Sequence, residues 1–361
     1  MRDIYGNDLI GKIDSKNIAR IFGEDVYCLG AEKINQVSKI RGSSIKYCYC
    51  DELAEYNKEV WELLKSRLDK PYSVCDATLN PAEETHWLKA DFLDTIEEKG
   101  IDAYVQSYTI FDNSFLPKEF IDNLCKEYEG TVYYDRYILG RWCNAEGLIY
   151  TKFANNPEAF EMEYKSWKNS NGIWEDNLPE GDTIVGIDYG GTRSGQAFVC
   201  TRISKDFTKV IVMASQRITS PLDAKELEEA QIQFMEYCRN KFHTEIDYAY
   251  PDNEESVHIR SLRNRVEDLG WNTIVRGSKK EPINDRIEFQ LKILAYSMFY
   301  YLKDECETLV KAMRTAMWDD TKLEDTRLDD FSTDIDSMDA YEYTIERYMK
   351  KILDTIEYKV T

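Results

Sequence analysis

Acidic residues that could hold metal ions occur at three widely separated places in the sequence: Asp188, Asp252, and the pair Asp336 and Asp339. Carboxylates that converge repel one another and raise each other's pKa. Divalent cations such as Mg²⁺, which prefer oxygen ligands, remove that cost. Two such ions about 4 Å apart can activate a water and stabilise the leaving oxygen of a phosphodiester. The acids therefore predict a two-metal nuclease that uses Mg²⁺ or Mn²⁺ and needs no histidine.

The elements around these acids follow the order of a ribonuclease-H-like fold. Short β-branched and apolar runs predict strands at residues 184–187, 195–202, 209–214 and 246–250, with a helix between the third and fourth strands. The first and fourth strands of such a fold are neighbours, so Asp188 would lie beside Asp252. Asp336 and Asp339 are three residues apart and share one face of the last helix, in the first turn, where negative charge is stabilised.

Composition excludes several other classes of protein. The chain has 361 residues and a net charge of −21, which argues against a basic nucleic-acid coat protein. No apolar stretch approaches the length of a membrane span, so no membrane partner is expected. The chain has only three histidines, so a His-rich zinc site is not expected. Its nine cysteines are scattered and form no C-x-x-C pair, which indicates reduced thiols in a cytosol.

A second arrangement of acids lies nearer the N-terminus. The predicted strand at residues 45–50 runs directly into Asp51 and Glu52, which is the Walker B arrangement. In that arrangement the Asp binds magnesium through water and the Glu orients the attacking water in ATP hydrolysis. The next predicted strand ends in Thr78 and Asn80, whose small polar groups could sense the γ-phosphate and couple its hydrolysis to motion.

The order and spacing of several motifs resemble the large subunit of tailed-phage (prophage) terminases over nearly the whole chain. The motifs are Asp51-Glu52, Thr78-Leu79-Asn80-Pro81, His86-Trp87, and the stretches 107–117, 136–142 and 146–150. The resemblance implies an α/β chain. A partial P-loop ATPase domain (1–130) and a linker region (131–181) precede a ribonuclease-H-like nuclease domain (182–361), whose mixed sheet is flanked by helices.

The family's Walker A loop precedes Walker B, and this sequence contains no complete G-x-x-x-x-G-K-[ST] loop. The resemblance thus implies a fragment or a product of a split gene. We expect no ATPase activity from the chain alone, and ATP as a ligand only if the missing N-terminal part is supplied.

The resemblance also assigns roles to residues. Asp188 and Asp252 match the first and second acids of the family's nuclease domain, and Asp339 matches the C-terminal acid. Many members carry a histidine at the position of Asp336. The implied function is an endonuclease that cuts concatemeric double-stranded viral DNA during genome packaging. The implied partners are the portal protein and the small terminase subunit, with a homo-oligomer on the procapsid portal in the cytoplasm of the bacterial host.

Cations near the predicted acids are candidates for contacts with DNA phosphates. They are Arg193, just past Asp188, and Lys279, Lys280 and Arg286, which follow the strand after Asp252.

Two other functions compete with the nuclease. The segment 186–192 also resembles the first phosphate loop of actin-like and sugar-kinase ATP-binding enzymes, although no second such loop follows. The chain could also be a non-catalytic docking piece of a split packaging motor. DNA hydrolysis with manganese, compared with turnover of ATP or a sugar, separates these hypotheses.

Overall fold

The computed structural model describes residue 6 and residues 8–31, 40–190, 195–319, 321–322, 325–329 and 334–360, with side chains to residue 356. The chain divides into two compact units, Met1–Gln106 and Ser107–Thr361. Residues 107–130, predicted to end the first domain, lie within the second unit. None of the described helices is both long and apolar enough to cross a membrane.

The first unit contains two small sheets and two α-helices among its described residues. An antiparallel hairpin joins β1 to β2, and β3 pairs with β4 in parallel. The first helix buries Val60, Trp61 and Leu64, and its N-terminus is capped by the side chain of Asn57. The bounds are β1 (Ile18–Ile21), β2 (Glu24–Tyr27), β3 (Tyr47–Cys50), α1 (Lys58–Lys65), β4 (Val74–Ala77) and α2 (Ile96–Lys99).

The second unit contains the larger sheet and its flanking helices. The bounds are α3 (Lys118–Tyr128), α4 (Thr151–Asn155), β5 (Glu161–Met162), β6 (Ser166–Lys168), β7 (Trp174–Asp176), β8 (Gly181–Asp188), β9 (Gln196–Ser204), β10 (Val210–Ile218), α5 (Ala224–Lys241), β11 (Tyr248–Pro251), α6 (Ser256–Asp268), β12 (Ile274–Val275), α7 (Ile283–Ala295), β13 (Phe299–Leu302), α8 (Glu307–Thr315), α9 (Ile335–Ile345) and α10 (Met349–Val360).

In the described residues the large sheet has seven strands in the order β12-β11-β8-β9-β10-β13-β5. Strands β8, β9 and β10 form an antiparallel meander, and β11 lies parallel to β8. The predicted adjacency of the first and fourth strands is therefore confirmed, as is the ribonuclease-H-like order of a mixed sheet with helices on both faces.

Alternation along β8 sends neighbouring side chains to opposite faces of the sheet. Ile184 packs into the core beneath α9, whereas Val185 and Ile187 pack into the core beneath α5. Gly186 lies on the α9 face, where an added Cβ would be 1.8 Å from the carbonyl oxygen of Ala340. Glycine at this position is what lets α9 approach the strand so closely.

The segment 131–181, predicted as a linker, contributes to the core of the second unit instead. Tyr150 and Phe153 are fully buried there, and the polar stretch near residue 170 forms a β6–β7 hairpin. Polar and glycine-containing residues favour irregular structure, which is why a linker was predicted here. Strand β13, whose aromatic residues pair in parallel with β10, was not predicted either.

Candidate metal centre

The end of β8 and the start of α9 bring the predicted acids to one edge of the sheet. Asp188 is the last residue of β8 and, by alternation from Gly186, its side chain lies on the α9 face. The N–H of Asp252 donates to the carbonyl of Ile187 at 2.9 Å, which continues the β8–β11 pairing and places the two acids on neighbouring strands. Both are largely buried, with exposed fractions of 8% and 9%.

Helix α9 supplies the remaining two acids. Its N-cap Asp334 accepts a hydrogen bond from the N–H of Ser337 at 2.9 Å. Asp336 lies in the first turn, as predicted. The same prediction is wrong for Asp339, which is the fifth residue of the helix and lies in its second turn, and α9 is followed by α10 and so is not the last helix. Tyr343 follows on the same face, and its hydroxyl donates to Oδ1 of Asp188 at 3.3 Å.

The electrostatics of Asp188 distinguish it from the other acids. Burial and the nearby charges of Asp339, Asp336 and Asp252 raise its pKa from 3.8 to about 8, against a smaller opposing effect of the Tyr343 hydrogen bond. None of the described residues forms an ion pair with this carboxylate. Asp188 therefore experiences the charges of the other three acids without a cation paired to it in the described part of the chain.

Asp336, in contrast, has an internal counter-charge. Its Oδ2 accepts hydrogen bonds from the N–H of Gly195 and from Nε of Arg217, both at 2.8 Å. Arg217 comes from β10 and also lies 3.2 Å from Asp334. Asp336 thus ties α9 to the start of β9 and to β10, which is a positioning contact that the sequence analysis missed.

Asp339 is held by two buried arginines. Nη2 of Arg327 donates to its Oδ1 at 2.6 Å, and Nη1 of Arg286 lies 3.2 Å from the same oxygen. Both arginines also contact Glu342, which is 1% exposed. The prediction that Arg286 contacts DNA is contradicted by this burial, because a guanidinium enclosed by carboxylates does not reach a phosphate.

Lys280 approaches Asp252 from the loop after β12. Its Nζ lies 3.0 Å from Oδ1 of Asp252 and 2.9 Å from Glu254. The loop is held because the backbone N–H groups of Lys279, Lys280 and Glu281 all donate to the carboxylate of Glu346. The side chain of Lys279 points to Glu281 instead.

Arg193, the remaining predicted DNA contact, lies outside the described residues.

The donor set at this edge fits hard divalent cations. All four candidate ligands are carboxylates, which supply the oxygen ligands that Mg²⁺ prefers, and Asp188 is buried among them. Among the described residues, however, no three carboxylates bring oxygen atoms within 4.8 Å of one another. The acids are spread more widely than the coordination shell of one ion, which favours more than one ion or an inward movement of the side chains.

The first unit brings the predicted Walker B and coupling residues together. The hydroxyl of Thr78 donates to Oδ1 of Asp51 at 2.9 Å, and the amide of Asn80 donates to Oε2 of Glu52 at 3.4 Å. The parallel pairing of β3 with β4 places both pairs at the same strand ends.

Comparison with known proteins agrees with this fold. Residues 2–156 match the family model of the terminase large subunit, T4likevirus-type, N-terminal. The chain therefore carries a terminase large-subunit domain over those residues. No curated protein sequence matches the chain.

Solved structures of a large terminase share the fold over almost the whole chain. The large terminase of a thermophilic bacteriophage superposes with a TM-score of 0.72 at 20% identity, covering 94% of this chain and 79% of that one. The same protein in complex with ADP gives a TM-score of 0.70 at 20% identity, with coverage of 94% and 79%. Its complex with ATP-gamma-S superposes with a TM-score of 0.66 at 21% identity, covering 92% of this chain and 77% of that one.

Proposed function

We propose that the second unit is a metal-dependent endonuclease that cleaves double-stranded DNA in viral genome packaging. The observation that carries the proposal is the buried Asp188, whose carboxylate is surrounded by three further acids on neighbouring elements and lacks an ion pair among the described residues. A fold gains nothing from such a cluster by itself, because each buried charge is costly.

Mg²⁺ or Mn²⁺ bound by Asp188, Asp252 and Asp339 would activate a water and stabilise the leaving oxygen of a phosphodiester. The chain's own residues prepare that arrangement. Tyr343 orients Asp188 through its hydrogen bond, and Arg286 and Arg327 fix Asp339. We assign Asp336 a positioning role, because its Oδ2 accepts hydrogen bonds from the backbone N–H of Gly195 and from Arg217 and so ties α9 to the start of β9 and to β10.

The test is cleavage of plasmid DNA by the full chain with Mn²⁺ or Mg²⁺. Asp188→Asn is expected to abolish conversion of supercoiled DNA to nicked and linear forms. Asp206→Asn is the matched control, because Asp206 lies in an exposed turn and bonds Ser204 and Thr208. Equal cleavage by both variants contradicts the assignment, and no cleavage by the wild-type chain favours the docking-piece hypothesis.

For the first unit we propose an ATP-dependent role in the same motor, supported by the Asp51–Thr78 and Glu52–Asn80 hydrogen bonds. Asp51 would bind the metal of MgATP through water, and Glu52 would orient the attacking water. The expectation that this chain alone does not turn over ATP stays a prediction. Sustained phosphate release from pure protein, lost in Asp51→Asn, contradicts that expectation.

The family relation also suggests the partners. We propose the portal protein, the small terminase subunit and a homo-oligomer on the portal, in the host cytoplasm during packaging. The alternative of an actin-like or sugar-kinase enzyme gains no support, because residues 2–156 match a terminase domain.

A further inference from the structure

Three cysteines in the first unit lie together on adjacent strands. Cys48 and Cys50 belong to β3, Cys75 belongs to β4, and the parallel register places Cys48 opposite Cys75. Each of the three Sγ atoms lies within 4.8 Å of the other two. The separation between Sγ of Cys50 and Sγ of Cys75 is 3.8 Å.

The strand geometry explains why the thiols converge. Residues two apart on a strand point to the same face, so Cys48 and Cys50 share a face of the sheet. Directly opposed residues of neighbouring strands also project to one face, which brings Cys75 to the same side. A C-x-x-C pattern does not detect this cluster, because C-x-C is the spacing that places two cysteines on the same face of a strand.

The separation between the sulfur atoms of Cys50 and Cys75 excludes a covalent bond and is compatible with metal coordination. A disulfide places its sulfurs about 2.05 Å apart. Two thiolates bound to one zinc ion at about 2.3 Å in tetrahedral geometry lie about 3.8 Å apart. The Cys50–Cys75 separation is that of a thiol–thiol hydrogen bond and is also compatible with two ligands of one zinc ion.

The surroundings of the cluster allow entry and retention. Cys48 and Cys75 are half-buried, which gives a path from solvent, and Cys50 is 1% exposed. Thiolates select soft cations such as Zn²⁺ and Cu⁺ over Mg²⁺. The cluster therefore has a different ion preference from the carboxylates of the second unit.

We propose that Cys48, Cys50 and Cys75 form a binding site for a thiophilic d¹⁰ cation, with Zn²⁺ as the reference ion. Three protein ligands leave the fourth tetrahedral position to water or another small donor. A bound ion would link β3 to β4, whose pairing is only four residues long, next to Asp51. Binding would displace the thiol protons into solvent.

The first test uses the full, reduced, chelator-treated chain titrated with Co²⁺ as a spectroscopic substitute for Zn²⁺. A sulfur-to-cobalt charge-transfer band should saturate at one equivalent and disappear when Zn²⁺ is added. Cobalt bound to carboxylates gives no such band, which separates this site from the nuclease centre. Cys48→Ser and Cys75→Ser should each weaken cobalt binding at least tenfold, whereas Cys28→Ser, a half-buried thiol of the same unit, should not.

A second measurement needs no substitution and so does not depend on the variants folding. Zn²⁺ should protect Cys48, Cys50 and Cys75 from alkylation in the wild-type chain, as read by peptide mass spectrometry, and leave Cys28 reactive. The proposal is overturned if the wild-type chain shows no charge-transfer band. It is equally overturned if the band survives in both Cys48→Ser and Cys75→Ser, or if Zn²⁺ does not slow alkylation of the three thiols.

Discussion

Asp339 accepts a 2.6 Å hydrogen bond from Nη2 of Arg327, and the same guanidinium donates through Nη1 to Glu342 at 2.7 Å. The arginine is 4% exposed. It therefore joins a candidate metal ligand to a carboxylate in the interior, and the position of Asp339 depends on a buried ion-pair network that extends behind the site.

Arg327→Met is expected to lower the free energy of unfolding of the second unit by about 3–5 kcal/mol, because it leaves Glu342 short of a counter-charge in the interior. Urea unfolding followed by circular dichroism measures the change. The double variant Arg327→Met/Glu342→Gln should recover part of the loss.

The matched control for Arg327 is Lys205→Met, which breaks the exposed pair between Lys205 and Glu180. Such exposed pairs contribute little to stability, because water and salt screen them. A loss for Arg327→Met no larger than that of the control would show that the network does not stabilise the unit.

Asp188 makes the metal-free protein less stable as pH rises. Its folded-state pKa is raised to about 8, so between about pH 4 and pH 8 the folded state retains a proton that the unfolded state has released. The contribution to stability is thus lost as pH rises through this window. As pH rises from 5 to 8, the free energy of unfolding of wild type should fall relative to that of Asp188→Asn by about 2 kcal/mol or more.

The Asp188 prediction is measured by thermal unfolding in a chelator and then with Mg²⁺ or Mn²⁺. Added metal should stabilise the wild type strongly at pH 8 and the variant weakly, because bound cations compensate the converging charges. The idea is wrong if the two proteins show the same pH dependence without metal.

Gly186 permits the close approach of α9 to β8. Gly186→Ala would place a methyl group 1.8 Å from the carbonyl oxygen of Ala340, so the helix must move. We expect a loss of about 3 kcal/mol or more in unfolding free energy, together with weaker metal-dependent cleavage, because α9 carries Asp339.

Gly277→Ala provides the comparison for Gly186, because its added methyl group would lie 3.0 Å from Cβ and 3.2 Å from Cα of Asn253, which requires a far smaller displacement than a contact at 1.8 Å. Its effect on stability should be clearly smaller. If both alanine variants unfold alike and cleave alike, the packing of α9 against β8 does not control the site.

The sequence identified the strand ends that carry the acids, and it did so for a physical reason. Apolar, β-branched runs that terminate in aspartate are local signals, and the ribonuclease-H-like order of elements then determines which ends are neighbours. The β8–β11 pairing confirms the predicted proximity of Asp188 and Asp252. The first-turn position of Asp336 was likewise readable from its distance to the helix start.

The counter-charges of the site could not be read from the sequence. Arg217 lies on β10 and contacts Asp336, and Arg327 lies in the segment before α9 and contacts Asp339. Neither spacing along the sequence matches a helix or strand period, so no sequence pattern predicts these contacts. An isolated arginine is usually a surface residue, which is why Arg286 was assigned to DNA. Only the packing of α7 beside α9 reveals that its guanidinium is enclosed.

Lys280 stays a predicted DNA contact at this edge of the sheet, as does Lys279. The side chain of Lys280 is 31% exposed and lies between Asp252 and Glu254, whereas Lys279 is paired with Glu281. In an Asp188→Asn background, which prevents cleavage, Lys280→Ala should weaken DNA binding and reduce the slope of log affinity against log salt by about one, because one phosphate contact is lost. Lys279→Ala should change the slope less. Fluorescence anisotropy at several salt concentrations measures the affinity of both variants for DNA. If Lys280→Ala and its parent have the same salt slope, Lys280 neutralises Asp252 and does not contact DNA.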